Sequence, residues 1–279
     1  MDWIQALILG IVQGLAEYLP ISSSGHLEIV QGLLPGLNLS GADSLQFDVT
    51  LHVATVLSTI VILWREFSGM CNSFFRLKRD ENTTMVWKIL LSCIPIGIVG
   101  VFFKDRIEAF YGHNLLVVGI CLIATAGLLA FAYYSRTRRL IATRGAAGSA
   151  DIGRKITYFD AFIIGCAQAV AVLPGLSRSG STIATGIVLG DRRDQVARFS
   201  FLMVIVPILG QALLDVAKGI KDGGLDSSVG FVPIAIGFVT SFVVGCLACR
   251  WMLEIVKRGR LIWFAVYCAL VGAACLIFN

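Results

Sequence analysis

Two polar segments interrupt an otherwise apolar sequence, and both carry residue types suited to phosphoryl chemistry. The first runs from Gln13 to His26. Within it Gln13 and Glu17 are four residues apart and share one helix face. A carboxylate inside an apolar run is expensive and marks function by default. Ser22, Ser23 and Ser24, followed by Gly25, offer hydroxyls and backbone N–H groups to an anion, more than a helix cap requires. His26 comes next, and an imidazole can act as acid, base or nucleophile. The second segment runs from Pro174 to Thr182, with Gly175, Ser177, Arg178, Ser179, Gly180 and Ser181 between. Arg178 is the one Lys or Arg outside the loops, and a cation at membrane depth needs an anion. Glu17 is one candidate. A phosphate fits better, because the guanidinium fork matches phosphate oxygens.

Phosphoryl transfer asks for positioning, charge neutralisation and a nucleophile or base. Ser22, Ser24, Ser177, Arg178, Ser179 and Thr182 are the expected phosphate contacts. Glu17, with Gln13 beside it, would hold a divalent metal or act as base, and His26 or Ser23 would attack or shuttle a proton. A hydrophobic cavity inside a bilayer implies a lipid-linked substrate. Glu28 is expected at the cavity rim, His52 in a packing role within a span, and His113 solvated in a loop. Eight cysteines lie mostly in apolar runs and read as small buried hydrophobes. Cys246 and Cys249 form a CxxC without a second pair or a nearby His, which argues against zinc and redox roles.

The elements that position these residues follow from composition. Hydrophobic residues make up 57% and charged residues 15%, with a mean hydropathy of +0.82. A soluble domain is about 45–50% apolar and about 25% charged, so a soluble enzyme and a disordered chain are both excluded. The net charge of +5 does not imply nucleic acid, because the cations sit in short loops between apolar spans. The opening residues have neither a basic region nor a cleavage site and do not read as a removable signal peptide.

Crossing the hydrocarbon core takes about 20 helical residues. Six stretches are expected to span: 47–64, 86–103, 115–134, 199–217, 230–249 and 261–278. The regions 3–36 and 159–190 are apolar but broken by the two polar segments. Each half is too short to cross, and polar backbone at depth is tolerated only when buried in protein or lining a wet cavity. Both therefore read as re-entrant helical hairpins. Loops 65–88, 135–158, 191–198 and 250–260 hold 18 of the 23 Lys and Arg. With these inside, hairpin 3–36 enters from outside, hairpin 159–190 enters from inside, and both termini are outside. The expected architecture is an all-α integral membrane protein in one membrane domain, 1–279. Residues 1–134 and 159–279 form two inverted repeats, each a hairpin plus three spans, joined by a basic cytoplasmic loop at 135–158. Shifting residues 13–27 by 155 aligns them with 168–182 at five identities: Gln13 with Gln168, Ala16 with Ala171, Ser22 with Ser177, Ser24 with Ser179 and Gly25 with Gly180. Inverted repeats with broken helices are a transporter architecture with a midplane site, so a polyprenyl-phosphate transporter or flippase stands as the rival to an enzyme.

On these residues the chain resembles the BacA/UppP family of undecaprenyl-diphosphate phosphatases. The family's (E/Q)xxxE motif and PxSSxGH-like loop are matched by Gln13 to Glu17 and Pro20 to His26, and its PGxSRSxxT motif by Pro174 to Thr182. The resemblance covers nearly the whole chain. It implies six spans with two re-entrant hairpins in the bacterial plasma membrane and an active site open to the outer side. It also implies hydrolysis of undecaprenyl diphosphate to the monophosphate, which recycles the carrier lipid for cell-wall (peptidoglycan) synthesis and gives bacitracin resistance. Glu17, His26, Ser23 and Arg178 are the essential residues it implies, with dependence on Mg or Ca. Gln13 departs from the doubly acidic form of the motif, leaving one carboxylate where some members have two. Membrane lipid is the expected surrounding, and apolar faces bearing Gly suit a homodimer.

Overall fold

The computed structural model describes residues 1–34, 36–37, 41–103, 115–143, 153–221 and 229–278. His113, the loop 104–114 and Arg144 lie outside the described residues. The described chain forms twelve helices: α1 (Trp3–Ala16), α2 (Ser23–Leu33), α3 (Gly41–Ile62), α4 (Trp64–Phe75), α5 (Glu81–Phe102), α6 (Leu115–Thr143), α7 (Tyr158–Val170), α8 (Arg178–Leu189), α9 (Arg193–Met203), α10 (Ile205–Lys221), α11 (Phe231–Arg258) and α12 (Ile262–Ile277). Among the described residues no β-strand forms; one isolated bridge joins Arg154 and Asp191.

Among the described residues four helical stretches are long and apolar enough to cross a bilayer: Glu81–Phe102, Leu115–Arg138, Arg193–Ala217 and Phe231–Arg258. The third runs continuously from α9 into α10. A fifth would be α3 with α4, but the two are bent by 85° at Leu63. At 16 residues α12 is apolar yet shorter than the other crossings. In the two broken regions α1, α2, α7 and α8 have 14, 11, 13 and 12 residues, each below the about 20 that a crossing takes. The breaks fall where the sequence forces them. Pro20 and Pro174 cannot continue a helix, and Ser22 and Ser177 restart one by capping the N–H groups of Gly25 (3.3 Å) and Gly180 (3.0 Å).

The short helices are seated on the long ones by small residues. Helix α1 packs along α11, which also carries α3; α7 packs on α5, and α6 on α12. Gly10 and Gly14 of α1 face Gly237, Ser241 and Gly245 of α11, a pairing of small residues four apart that lets backbones approach closely. A β-carbon on Gly14 would lie 2.9 Å from both the Ser241 carbonyl oxygen and Val244 Cβ. Gly14→Leu is therefore expected to lower stability by about 1–3 kcal/mol through overpacking. An unchanged thermal midpoint in detergent would contradict that reading of the contact. Glycines also meet at the α6–α12 crossing, where a β-carbon on Gly119 would come within 3.0 Å of the Gly272 carbonyl and one on Gly272 within 2.9 Å of the Gly119 carbonyl.

Candidate active site between the two breaks

The breaks after α1 and α7 meet at the centre of the molecule. Ser179 donates its hydroxyl to the Leu19 carbonyl (3.1 Å), and Cys268 of α12 donates its thiol to the Pro20 carbonyl (3.5 Å). A β-carbon on Gly25 would sit 3.0 Å from Gly175 Cα, so the two loops are in contact there. Helices α2 and α8 thus begin beside one another, at Ser23 and Arg178. Two helix N-termini brought together concentrate free N–H groups and positive partial charge, a combination that favours an anion.

Glu17 is the hub of this junction. Its side chain is only 6% exposed. One carboxylate oxygen, Oε1, is ion-paired with Arg178 Nη2. The other, Oε2, accepts hydrogen bonds from Ser23 Oγ and from Gln13 Nε2, each at 2.9 Å. His52 Nε2 lies 3.7 Å from the same oxygen, while its Nδ1 donates to the Asp48 carbonyl at 2.7 Å. His52 was expected simply to pack within its span; instead it turns one face of its ring toward the buried carboxylate. The next residue, Tyr18, anchors the loop. Its buried hydroxyl donates to the Thr55 carbonyl (2.6 Å) and lies 2.5 and 2.8 Å from the Ser58 and Thr59 hydroxyls, and its ring meets Phe201 edge-on at 5.3 Å. A small cleft adjoins this cluster, lined by Glu17, Tyr18, Thr59, Arg178, Ser200 and Ile208 among others.

Gln13, Glu17, Ser23 and Arg178 are thus joined directly. Ser22 and Ser24 lie beside them, 3.4 Å apart through their hydroxyls. Ser22 holds φ 73°, ψ 104°. A non-glycine residue there stores about 1–3 kcal/mol of strain, which is typical of functional loops. Ser177 is buried as the cap of α8, and its N–H donates to Thr125 Oγ1 at 3.0 Å. Thr182 Oγ1 donates back to the Arg178 carbonyl (2.9 Å) and touches Ser200 Oγ at 2.5 Å. The hydroxyls of Ser177 and Thr182 are therefore engaged inside the fold. His26 stands one turn into α2, with Nδ1 donating to the Ser22 carbonyl (2.8 Å). That bond leaves Nε2 to accept from the Tyr267 hydroxyl of α12 at 2.8 Å, with the two rings stacked at 5.6 Å. Glu28 is half-buried farther along α2. Tyr267→Phe keeps the stack and removes one hydrogen bond. If His26 acts in turnover, this variant is expected to slow it by about fivefold, equivalent to about 1 kcal/mol; unchanged turnover would assign the contact to packing.

Among the described residues no three His, Cys, Asp or Glu side chains gather closely enough to hold a metal by themselves. Gln13, however, is fully buried with Nε2 spent on Glu17 and Oε1 left without a hydrogen-bond partner. An orphaned amide oxygen beside a single carboxylate suits Mg²⁺, which commonly binds one or two carboxylates together with substrate phosphates. These two oxygens fit such a cation.

The family model described as bacitracin resistance protein BacA matches residues 6–274. An undecaprenyl-diphosphatase of Bacteroides fragilis is 52% identical over 279 residues, covering 100% of this chain and 99% of its own. One from Parabacteroides distasonis is 52% identical over 272 residues, 98% and 96% of the two chains. One from Methanobrevibacter smithii is 35% identical over 285 residues, 98% and 96% of the two chains.

Proposed function

The chain belongs to the BacA family of bacitracin resistance proteins, and on that premise we propose that it hydrolyses undecaprenyl diphosphate to undecaprenyl phosphate and inorganic phosphate. It is a multi-pass, all-helical membrane enzyme. The observation that carries the reading is Glu17, bound at once by Arg178 and by the Ser23 hydroxyl at the meeting point of two helix N-termini. The relatives are named for a diphosphatase, which favours hydrolysis over lipid transport.

The steps follow from the contacts. The diphosphate enters between the starts of α2 and α8 and takes Arg178 as its counter-charge, with the N–H groups of Ser23 and Ser24 beside it. Ser23 already donates to Glu17 Oε2, so Glu17 accepts the Ser23 proton as Oγ attacks the terminal phosphorus. The bond from that phosphorus to the bridging oxygen breaks, and undecaprenyl phosphate leaves. Glu17 passes that proton to the departing phosphate; water then attacks the phosphoserine, its proton going to Glu17 and on to Ser23 Oγ as the P–Oγ bond breaks, which releases phosphate and restores Ser23. His26 positions the start of α2 through Ser22 and Tyr267. Glu17 and the Gln13 amide oxygen would hold Mg or Ca, which would supply neutralisation of the phosphate oxygen charges.

We assign the two halves of the chain to inverted repeats. Reciprocal packing supports this: the first hairpin's α1 lies on α11 of the second half, and the second hairpin's α7 lies on α5 of the first. The six-span arrangement with α12 as the last span, the basic loops on the cytoplasmic side, and a site open to the outer face of the bacterial inner membrane belong to the same reading. Their support is the charge distribution of the loops and the apolar helices.

The test is phosphate release from undecaprenyl diphosphate by purified protein in detergent. Release that Mg or Ca sustains and a chelator lowers by about 10²-fold or more is expected if neutralising the diphosphate carries several kcal/mol. Chelator-insensitive release would remove the cation from the site. No release from folded protein under any condition would return the transport reading.

A further inference from the structure

The segment from Trp64 to Arg79 has features that catalysis does not explain. Helix α4 turns 85° away from α3 and exposes Trp64 and Phe75 along with Arg65 and Arg76. After it the chain reads Phe75, Arg76, Leu77, Lys78, Arg79, alternating apolar and cationic residues. Phe75 is 81% and Leu77 87% exposed.

The backbone makes Leu77 stranger still. Helix α4 ends with the Leu77 N–H on the Phe74 carbonyl (3.1 Å) and the Lys78 N–H on the Ser73 carbonyl (3.0 Å). This is a Schellman termination, whose left-handed position usually belongs to glycine. Leucine occupies it, at φ 52°. In water this combines backbone strain with an exposed apolar side chain. Buried in acyl chains, the same side chain would recover hydrophobic free energy that glycine lacks.

The nearby acids have other partners, though Lys78 lies within electrostatic reach of Asp80. Glu66 pairs with Arg198, Glu81 with Lys155, and Asp80 accepts from Ser73 Oγ (2.7 Å) and from the Thr83 N–H (2.9 Å). Among the described residues no salt bridge engages Arg76, Lys78 or Arg79. Three cations and two apolar side chains thus project from one turn at the edge of a membrane protein. We propose that the α4 turn is a docking site for anionic phospholipid, with Phe75 and Leu77 inserted at the headgroup boundary and Arg76, Lys78 and Arg79 on lipid phosphates. The site is separate from the catalytic cleft and does not depend on the reaction assigned to it.

Amide hydrogen exchange across residues 64–82 tests this, in nanodiscs holding a single copy of the protein, with either phosphatidylcholine alone or phosphatidylcholine mixed with phosphatidylglycerol. The amides at 75–79 are expected to exchange about tenfold more slowly in the anionic discs, with the difference shrinking at high salt. Other segments serve as internal controls. The triple variant Arg76→Gln, Lys78→Gln, Arg79→Gln should lose the difference. Leu77→Gly, which relieves the backbone and so keeps the fold, should reduce it while phosphate release stays at the wild-type level. Equal exchange in the two disc types, or a difference that survives in the triple variant, overturns the proposal. Protection that appears only when a disc holds two copies also overturns it and assigns the turn to a second chain.

Discussion

Glu17→Gln is expected to lower phosphate release by about 10³-fold or more while leaving most of the fold intact. The substitution conserves shape, so packing against α11 and the Tyr18 anchor are undisturbed. What disappears is a charge on which the site depends. Arg178, with a side chain 24% exposed, loses its counter-ion. Ser23 loses the base to which its hydroxyl is already bonded at 2.9 Å. General-base catalysis contributes about 10²–10⁴-fold, and the lost acceptor for the attacking hydroxyl falls within that range. Removing one partner of a buried ion pair also destabilises, by about 3–5 kcal/mol at the extreme. The partial exposure of Arg178 and the open cleft beside it reduce that figure. Phosphate release measured with the thermal midpoint separates the effects. A variant that keeps its midpoint and loses turnover ties Glu17 to chemistry, and one that keeps turnover removes Glu17 from the role of base.

Arg178→Lys should be nearly as severe, with a loss of about 10³-fold, and for a different reason. A transition-state arginine in phosphoryl transfer is worth about 10³–10⁵-fold. Lysine keeps the charge but replaces a planar fork by a point donor. In this protein the side chain must satisfy Glu17 Oε1 and a phosphate from one helix start, which a fork does and an ammonium does poorly. The pattern of the loss matters more than its size. A fall in kcat with little change in KM would mean that the fork acts on the charge developing in the transition state. A rise in KM with kcat preserved would reduce Arg178 to ground-state binding. Arg178→Ala, lacking both charge and fork, is expected below Arg178→Lys in kcat/KM.

These two residues stood out in the sequence because each is an ionisable group in an apolar run. The helix breaks were legible for a related reason: Pro20, Pro174 and the serines beside them leave no other local structure open. The rest depends on tertiary geometry. That His52 turns toward Glu17 follows from the rotation of α3 about its axis, to which an apolar run gives no clue. Tyr267 meets His26 across 241 positions of sequence. Ser177 and Thr182 look like ligands in a motif, and only packing reveals that one caps α8 and the other ties it to Ser200. The bend at Leu63 was hidden because no Gly or Pro marks it anywhere between Leu51 and Phe67. The expected span 47–64 runs up to it, and the chain then turns away through α4. The span expected at 199–217 lies within a longer stretch because Asp194 and Arg198 are polar enough to mask the start of α9.

The seating of α1 on α11 has a consequence for how the protein is made. Residues 3–16 leave the ribosome well before the helix that receives them, 231–258, which emerges after more than two hundred further residues. Until then the glycine face of α1 has no surface to close against. The nascent chain must carry its first hairpin unpaired in or beside the membrane, where an insertion factor or lipid would have to shelter Glu17. A ribosome stalled before residue 231 holds both polar motifs and still lacks a formed active site. Assembly of the catalytic centre is thus a late event in biogenesis, timed by the last quarter of the chain.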